Sequence, residues 1–546
     1  MKPKYLKRLN KYLSKYWKID NLKDKQLEII DALIDKKDVV GLLPTGYGKS
    51  LTYLIPPLIK KKTMIIISPL ISLMEDQKEK LDIMNIPVST LHSNNPNKTN
   101  EIHEIIDGNI KIVYMSPEYL ITGDGLALAE TLNDEKMLGF LAIDEAHCIS
   151  KWGHDFRPNY QYIHKFRTKF PKIPILAVTA TATETVVNEI IDVLTLNEPL
   201  IVKANFDRPN LYIKCVDVKY DYLIPLTKIY CLDGRKHIIE KSLTNKKCKL
   251  CKINPDNYNY KTDELKILFK GLSKKEKEQI EKVEDLEYLK PYLEKYKDEK
   301  VIIYCNSRKE TLEISDLINK YIGDKSINYH AGMTNKNRDK LQHQFNSGEK
   351  NIIVTTIAFG MGIDQTVRCV MIIGSSSSIE EYYQQIGRAG RDGNKSDVLL
   401  FFKMQNLVLQ LQMNNKYSYV NKNIIKNKRE NIFKLKEYLE NQGCRRKFIL
   451  NYFGQRPKFF TCNNCDNCCE RNLIDYTDKI YNIYINNIDS DLILSDDDKT
   501  ELISKNILIL RGTKLIPSSE IEFWLKMVSV NKLSLDKIPD KLKIKI

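Results

Sequence analysis

Short apolar runs separated by helix-forming segments recur in two parts of the chain. In the first part they cover Val39–Leu43, Met64–Ser68, Lys111–Met115, Phe140–Ile143 and Ile175–Thr179. After residue 300 they cover Val301–Cys305, Asn351–Thr355, Cys369–Ile373 and Asp397–Phe401. Apolar runs that alternate with helical patterns are typical of parallel strands covered by helices on both faces. The pattern therefore predicts two α/β lobes in tandem.

The stretches outside these runs differ in composition and suggest further divisions. The prediction is a first lobe at 1–215, an insert or linker at 216–297, a second lobe at 298–403, a helical cysteine-bearing subdomain at 404–470 and a C-terminal region at 471–546. Residues 1–19 contain no acid and indicate a basic helix. Near the C-terminus, Glu501–Leu510 and Thr513–Ile516 indicate a helix and a small hairpin. That region is predicted to be a small α+β unit, such as a reduced winged helix.

Composition and charge narrow the class of protein. The 546 residues are 42% hydrophobic and 29% charged, which excludes a disordered tail or a fibrous repeat. No run of 18 apolar residues occurs, so no spanning helix is expected. The 86 basic and 70 acidic residues leave a net charge of +16, which favours nucleic acid or an anionic membrane as partner. Heavy use of Lys, Asn and Ile is also what an AT-rich gene would produce.

The N-terminus lacks the apolar segment of a secretory signal, so a reducing intracellular compartment is expected. The nucleus, the cytoplasm or a viral replication site would fit. In such a compartment, clustered cysteines are more often metal ligands than disulfide partners.

A glycine-containing loop between the first apolar run and a helical pattern predicts a nucleotide site. Glycines allow backbone N–H groups to wrap a phosphate chain, Lys49 can reach the β- and γ-phosphates, and Ser50 can offer its hydroxyl to Mg²⁺. Leu43 stands where the full phosphate-loop motif has its first glycine, and the alternative is a simple glycine-rich turn. The predicted ATP-binding residues of the loop are Thr45, Gly46, Tyr47, Gly48, Lys49 and Ser50.

Two further groups of side chains suit phosphoryl transfer. Asp144 and Glu145 follow an apolar run, where carboxylates reach the ligand crevice of a parallel sheet. Asp144 could hold Mg²⁺ through water, and Glu145 could orient or deprotonate the attacking water. Arg388 and Arg391, three positions apart in the second lobe, could supply positive charge to the γ-phosphate. Solvated turns are the alternative for each pair considered alone.

The cysteine spacing near residue 460 predicts a structural zinc site. Cys444 and the run Cys462-x-x-Cys465-x-x-Cys468 offer four thiolates for tetrahedral Zn²⁺. Cys469 could compete with Cys468, which we prefer. In the insert, a second Cys₃His site is an open hypothesis, with a polar loop carrying incidental cysteines as its alternative. Its ligands would be Cys231, His237, Cys248 and Cys251.

The order of these elements resembles the RecQ family of superfamily 2 helicases. Further matching segments are Ser68–Met74, Thr179–Thr183, Tyr304–Arg308, His330–Met333 and Ala358–Asp364. The most family-specific is Cys148–Pro158, which resembles the aromatic-rich loop that couples DNA binding to ATP hydrolysis. The resemblance implies two tandem RecA-like parallel-sheet lobes, a helical zinc-binding subdomain and a small C-terminal α+β region. It also implies a DEAH-box ATPase acting in DNA repair and recombination, with Gln26 where the family reads adenine.

The implied function is an ATP-dependent 3′–5′ DNA helicase with ATP, Mg²⁺ and Zn²⁺ as cofactors. Single-stranded and forked duplex DNA would be its partners, with no membrane. An RNA helicase on the same motor and a translocase without strand separation are the alternatives. Bases stack on aromatic side chains for about 1–3 kcal/mol each, so a base at Trp152 could move the loop attached to Glu145. The implied nucleic-acid contacts are Trp152, Phe156, Arg157, Ser68, Asn306, Arg308 and Thr356.

Overall fold

The computed structural model describes most of both lobes and of the cysteine-bearing subdomain. The described residues are 2–92, 95–150, 156–218, 227–230, 236–239, 288–357, 359, 365–403, 406–407, 410–411 and 422–469, with short pieces at 473–475, 494–495, 499, 508–511, 514–517 and 543–545. Among these residues, no helix combines the length and the apolar character needed to cross a bilayer.

The first lobe is built on a parallel sheet of seven described strands. Their order is β3-β4-β2-β5-β6-β1-β7. Their bounds are β1 Val39–Leu42, β2 Thr63–Ile67, β3 Val88–Leu91, β4 Ile112–Met115, β5 Leu138–Ile143, β6 Ile175–Thr179 and β7 Leu200–Lys203. All residues of β1, β2, β4 and β6 are buried, as strands covered on both faces must be. The predicted strands are confirmed, whereas β3 and the partly exposed edge strand β7 were not predicted.

Helices cover both faces of this sheet. They are α1 Pro3–Tyr12, α2 Asp24–Ile34, α3 Lys49–Lys60, α4 Ile71–Ile83, α5 Lys98–Ile106, α6 Pro117–Ile121, α7 Gly123–Asp134, α8 His164–Lys169 and α9 Glu184–Leu194. The predicted basic N-terminal helix is confirmed as α1. Its Leu9 is buried against Ile55 and Ile59 of α3, and its lysines lie on the opposite, exposed side.

The second lobe has a parallel sheet of six described strands in the order β12-β13-β11-β14-β15-β8. Five of them are β11 Val301–Tyr304, β12 Ser326–Tyr329, β13 Ile352–Thr355, β14 Cys369–Ile373 and β15 Ser396–Phe402. The sixth, β8 Leu211–Asp217, comes from the segment assigned to the first lobe by sequence. Its alternating burial is typical of an edge strand, and it pairs in parallel with β15. The chain therefore crosses between the sheets before residue 211, and the predicted boundary at 215 needs this correction.

The remaining described elements complete the second lobe and the cysteine-bearing subdomain. The helices are α10 Arg308–Ile322, α11 Asn335–Ser347, α12 Ile379–Ile386, α13 Lys422–Glu440, α14 Arg445–Tyr452 and α15 Asp466–Cys469. Two strands of the insert, β9 Thr227–Tyr230 and β10 Lys236–Ile239, pair antiparallel. Cys231, Cys248 and Cys251 of the hypothetical second zinc site lie outside the described residues, and His237 lies within β10.

The C-terminal region is described only in short strands. A hairpin is present but begins earlier than predicted, because β17 Leu508–Arg511, within the predicted helix, pairs antiparallel with β18 Lys514–Pro517. β16 Leu473–Asp475 pairs with β19 Lys543–Lys545. The helix predicted over Glu501–Leu510 is wrong at its end, where β17 begins, and its earlier residues lie outside the described part.

Candidate nucleotide-binding and metal sites

The loop that follows β1 has the backbone conformation that phosphate binding requires. Gly46 and Gly48 have φ values of +79° and +89°, in the left-handed region that side chains disfavour. A Cβ atom at Gly48 would lie 2.5 Å from Nε2 of Gln26. The loop leads directly into α3 at Lys49, so the amino end of that helix and its N–H groups face the space above the loop.

Gln26 stabilises this loop through hydrogen bonds to its backbone. Its Nε2 donates hydrogen bonds to the carbonyl oxygens of Tyr47 and Gly48, both at 3.0 Å. Its Oε1 accepts a bond of 2.9 Å from the backbone N–H of Lys23. The ammonium of Lys23 lies 4.5 Å from the centre of the Tyr47 ring. The side-chain amide of Gln26 thus hydrogen-bonds to the backbone of the loop and of Lys23 in this structure. Its contact with adenine stays a prediction.

Lys49 and Glu145 form the ionic centre of the site. Nζ of Lys49 lies 2.7 Å from Oε1 of Glu145. Nδ1 of His147 lies 3.3 Å from Oε2 of Glu145 and 2.9 Å from Oγ1 of Thr179. Burial opposes ionisation of Glu145, but the charge of Lys49 and the contact with His147 outweigh it and hold the pKa of Glu145 well below the usual range. Glu145 is therefore an anion positioned from both sides.

Asp144 is held by a buried tyrosine of α3. The hydroxyl of Tyr53 lies 3.1 Å from Oδ2 of Asp144 and 3.1 Å from Oγ of Ser50. Burial raises the pKa of Asp144, Lys49 opposes that shift, and Glu145 adds to it. The Ser50 hydroxyl and the Asp144 carboxylate thus share the Tyr53 hydroxyl as a partner, and a Mg²⁺ ion held by the two groups stays a prediction.

His147, Thr179 and Tyr53 were not among the predicted site residues. His147 follows the acidic pair closely in sequence, and Tyr53 lies one helical turn after Ser50, so spacing offered a weak signal for both. Thr179 ends β6, the strand beside β5, and only the sheet order brings it to the site.

The second lobe contributes its arginine-bearing segment to the same loop. A Cβ atom at Gly46 would lie 3.3 Å from Cγ of Arg391, and one at Gly387 would lie 2.8 Å from Cβ of Thr45. Arg388 is 8% exposed and lies beside Tyr304. Burial raises the pKa of Tyr304, and the charges of Arg388 and Arg391 only partly offset that rise. The structure therefore brings Arg391 to the phosphate loop and directs Arg388 toward the interior of the second lobe.

The predicted nucleic-acid contacts follow strand ends of the two sheets. Ser68 follows β2 and is fully buried, and Arg157 donates to the carbonyl of the next residue, Pro69. Phe156 is half-buried beside Arg157. Trp152, together with 358 and 360–364 of the matching segment in the second lobe, lies outside the described residues.

Three predicted contacts belong to the second lobe. Asn306 and Arg308 follow β11 and are exposed, and Thr356 follows β13 and is half-buried. Cβ atoms at Gly374 and Gly332 would lie 2.0 Å from Nδ2 of Asn306 and 2.6 Å from Nη1 of Arg308 respectively. The two glycines thus leave room for these side chains.

Four cysteine thiols of the C-terminal part converge on one point. The Sγ atoms of Cys444, Cys462, Cys465 and Cys468 all lie within 4.8 Å of one another. A Zn–S distance of about 2.3 Å requires S–S separations of about 3.8 Å in a tetrahedron. The 3.9 Å between Cys462 and Cys468 meets that requirement. Cys469 is exposed and outside the set. The four predicted ligands therefore fit zinc, with no open coordination position.

A buried ion pair attaches this cysteine cluster to the second sheet. The guanidinium of Arg445 donates to both carboxylate oxygens of Asp466, at 3.0 and 3.2 Å. Oδ2 of Asp466 also accepts a bond of 3.0 Å from the backbone N–H of Cys215 in β8. A metal bound by the cysteines would thus stabilise the contact with the edge of the second lobe.

Three family models match successive parts of the chain. Residues 23–190 match the DEAD/DEAH box helicase model, and residues 279–393 match the helicase conserved C-terminal domain. Residues 404–469 match the RecQ zinc-binding model.

Several curated proteins are similar over most of this chain. A protein of Acanthamoeba polyphaga mimivirus, provisionally named an ATP-dependent RNA helicase, is 37% identical over 85% of this chain and 73% of its own. The ATP-dependent helicase SGS1 of Saccharomyces cerevisiae is 34% identical, over 84% of this chain and 28% of its own. The ATP-dependent DNA helicase RecQ of Haemophilus influenzae is 33% identical, over 82% and 61%. The chain thus spans less than two thirds of the latter two proteins.

Solved structures show the same fold at lower identity. A crystal structure of the DUF1998 helicase MrfA bound to DNA covers 98% of this chain and 65% of its own, with 17% identity and a TM-score of 0.51.

Proposed function

The chain belongs to the RecQ family of helicases, and we propose that it couples ATP hydrolysis to 3′–5′ movement along single-stranded DNA and to unwinding of duplex DNA. The observation that carries the proposal is the convergence on one phosphate loop of Lys49, Glu145 and the second-lobe residue Arg391. A motor needs such a site between two lobes, because hydrolysis can then change how the lobes lie relative to each other.

The chemistry follows from the contacts around the loop. Loop N–H groups and Lys49 would bind the β- and γ-phosphates, which frees Glu145 from its ion pair. Glu145, positioned by His147, would then orient the attacking water and accept its proton. A Mg²⁺ ion held by Ser50 and Asp144 would neutralise phosphate charge. Arg391 would add positive charge from the second lobe. Arg388 is directed toward the interior of that lobe in this structure and would add its charge only after a rearrangement.

The proposed contacts with nucleic acid are inferred from the motifs that this chain shares with the family. Phe156 and Arg157 of the first lobe would face a strand shared with Asn306, Arg308 and Thr356 of the second. The Ser68 side chain is fully buried in this structure and would contact that strand only after a local rearrangement. Such contacts neutralise phosphates and carry no sequence information. Trp152 would stack on a base of the strand, and this stacking would move the loop attached to Glu145. The C-terminal region could supply the wedge that separates strands.

Hydrolysis and unwinding, measured together, test the proposal. We expect single-stranded DNA to stimulate ATP hydrolysis and a duplex with a 3′ tail to be unwound, while one with a 5′ tail is not. The Lys49→Ala variant controls for contaminating ATPases. Stimulated hydrolysis without unwinding would instead favour a translocase, and no stimulation by any nucleic acid would reject the motor.

RNA is the second candidate substrate, because the mimivirus relative is named an RNA helicase. Single-stranded RNA of the same length and sequence should stimulate hydrolysis less than DNA if our proposal holds. Equal or stronger stimulation by RNA would favour the alternative. The four-thiolate site also favours a reducing compartment, which we propose for this protein without choosing among nucleus, cytoplasm and a viral replication site.

A further inference from the structure

The segment that joins the two sheets carries one arginine in contact with both lobes. It runs from β7, which ends at Lys203, to β8, which begins at Leu211. Nη2 of Arg208 donates to the carbonyl oxygens of Ala389 at 2.7 Å and Gly390 at 2.9 Å. Its Nη1 donates across to the carbonyl oxygen of Thr45, in the phosphate loop, at 3.5 Å.

The bonds of Arg208 to the second lobe are supported by neighbouring contacts, and its bond to the first lobe is not. Arg208 is fixed to the second lobe, because its neighbour Asn210 donates to the carbonyls of Gly390 and Asn394, both at 2.9 Å. On its other side, the Tyr383 hydroxyl of α12 donates to the carbonyl of Phe206 at 2.7 Å. The longer bond to Thr45 is the one that reaches the first lobe. Separation of the lobes would break that bond first and leave the others intact.

The zinc-binding subdomain holds the same joining segment from outside. Arg446 of α14 donates to the carbonyls of Pro209 and Leu211, at 3.2 and 3.1 Å. Arg208 therefore stands on a backbone fixed by α12, α14 and β8. Because its guanidinium is held in place, Arg208 can donate to Thr45 only when the phosphate loop lies at one position relative to the second lobe.

The positive charge of Arg208 also favours binding of an anionic nucleotide at the phosphate loop. Burial lowers the pKa of Arg208, and its charge adds to burial in lowering the pKa of Lys23 above the Tyr47 ring. An arginine keeps its proton under such conditions. Two cations beside one loop repel each other until an anion arrives, and nucleotide phosphates would supply it.

We propose that Arg208 is a positioning residue for lobe closure, which couples a nucleotide in the phosphate loop to the placement of the Ala389–Gly390 segment. The inference rests on the proposed function and adds a residue to it. The planar guanidinium presents several N–H groups at once and can serve carbonyls of both lobes. The single ammonium of a lysine cannot reproduce that geometry. Arg391, next to Gly390, would thereby reach the γ-phosphate only when Arg208 has engaged Thr45.

The direct test compares Arg208→Ala and Arg208→Lys with the control Asn210→Ala. The control removes a contact with the same Gly390 carbonyl from the same segment but none with the phosphate loop. Lobe closure is followed as a distance between labels on non-canonical amino acids at positions 83 and 312, which leaves the zinc cysteines untouched. Ile83 and Leu312 are 76% and 50% exposed and lie in different lobes.

With a non-hydrolysable ATP analogue, wild type and Asn210→Ala should shorten the label distance, and Arg208→Ala should not. The ratio kcat/KM for ATP should fall by about 10- to 100-fold in Arg208→Ala, the range expected for losing charge-assisted hydrogen bonds. ADP affinity should change by less than about threefold, because ADP lacks the γ-phosphate that Arg391 would contact. Arg208→Lys should lie near Arg208→Ala in closure, because charge without the planar geometry is insufficient.

Closure of Arg208→Ala like wild type, with kcat/KM within about twofold, would overturn the inference. If Arg208→Ala does not fold, Arg208→Lys decides, since normal closure there would also overturn it. Failure of the proposed function would appear differently, as wild-type protein that closes on the analogue without DNA-stimulated hydrolysis.

Discussion

The ammonium of Lys49 lies 2.7 Å from the carboxylate of Glu145, so the group that should bind phosphate and the group that should activate water neutralise each other. Both side chains are largely buried, where an unpaired charge is unfavourable. Nucleotide phosphates can take over Lys49 and release Glu145. The ion pair thereby keeps the base occupied until substrate arrives.

Lys49→Ala should abolish ATP hydrolysis, with a fall of at least about 100-fold, because no other side chain of the loop brings a charge to the phosphates. Thermal stability should fall too, since Glu145 loses its partner. The double variant Lys49→Ala/Glu145→Gln should recover stability without hydrolysis. Lys61→Ala, just beyond the end of α3, is the exposed control. Hydrolysis near the wild-type rate in Lys49→Ala would remove the phosphate-loop assignment.

Gly48→Ala should disrupt the phosphate loop for two separable reasons. Gly48 and Gly348 both have left-handed backbone conformations, with φ values of +89° and +83°, so an alanine is strained by about 1 kcal/mol at either position. Only at Gly48 would the new Cβ collide with Gln26. Isothermal titration with a non-hydrolysable analogue should therefore show ATP affinity reduced at least about tenfold in Gly48→Ala and unchanged in Gly348→Ala. Equal affinities in the two variants would contradict a bracing role for Gln26.

Asp76 should make stability depend on pH. Burial raises the pKa of Asp76 to about 6, Lys80 opposes the shift, and Glu79 and Asp339 of α11 add to it. The unfolded value is about 3.9, so the folded state binds the extra proton and loses stability as pH rises through the window of about 4 to 6. Asp76→Asn should therefore raise the free energy of unfolding at pH 7.5, by about 1 kcal/mol once partial solvent exposure is allowed for.

At pH 5, in the middle of that window, the advantage should fall to about half of its value at pH 7.5. Urea unfolding of wild type and variant at the two pH values measures the difference. Glu135→Gln on the exposed surface is the control. An advantage of equal size at both pH values would show that ionisation of Asp76 is not its cause.

Cys465→Ser should release the metal from the subdomain. Zinc content, measured by atomic emission, should fall from about one ion per chain to near zero, and α14 should become sensitive to protease. Cys469→Ser is the matched control, since Cys469 adjoins a ligand and is exposed. Full zinc content in Cys465→Ser, or its loss in Cys469→Ser, would defeat the ligand set.

Much of the candidate site could be predicted because its residues are close together in sequence. The loop from Thr45 to Ser50, the pair Asp144 and Glu145, and the spacing of Cys462, Cys465 and Cys468 are local patterns. Their chemistry depends on neighbours a few positions away, so spacing alone indicates it.

What the sequence determined, then, was the order of elements and the kinds of chemistry they carry, since both follow from local periodicity and spacing. Tertiary structure decided that β8 joins the second sheet, that Tyr53 holds Asp144, and that Arg208 reaches Thr45 from 163 positions away. Each of these depends on contacts between distant segments, and no local pattern of hydrophobicity or charge specifies which distant segment comes alongside.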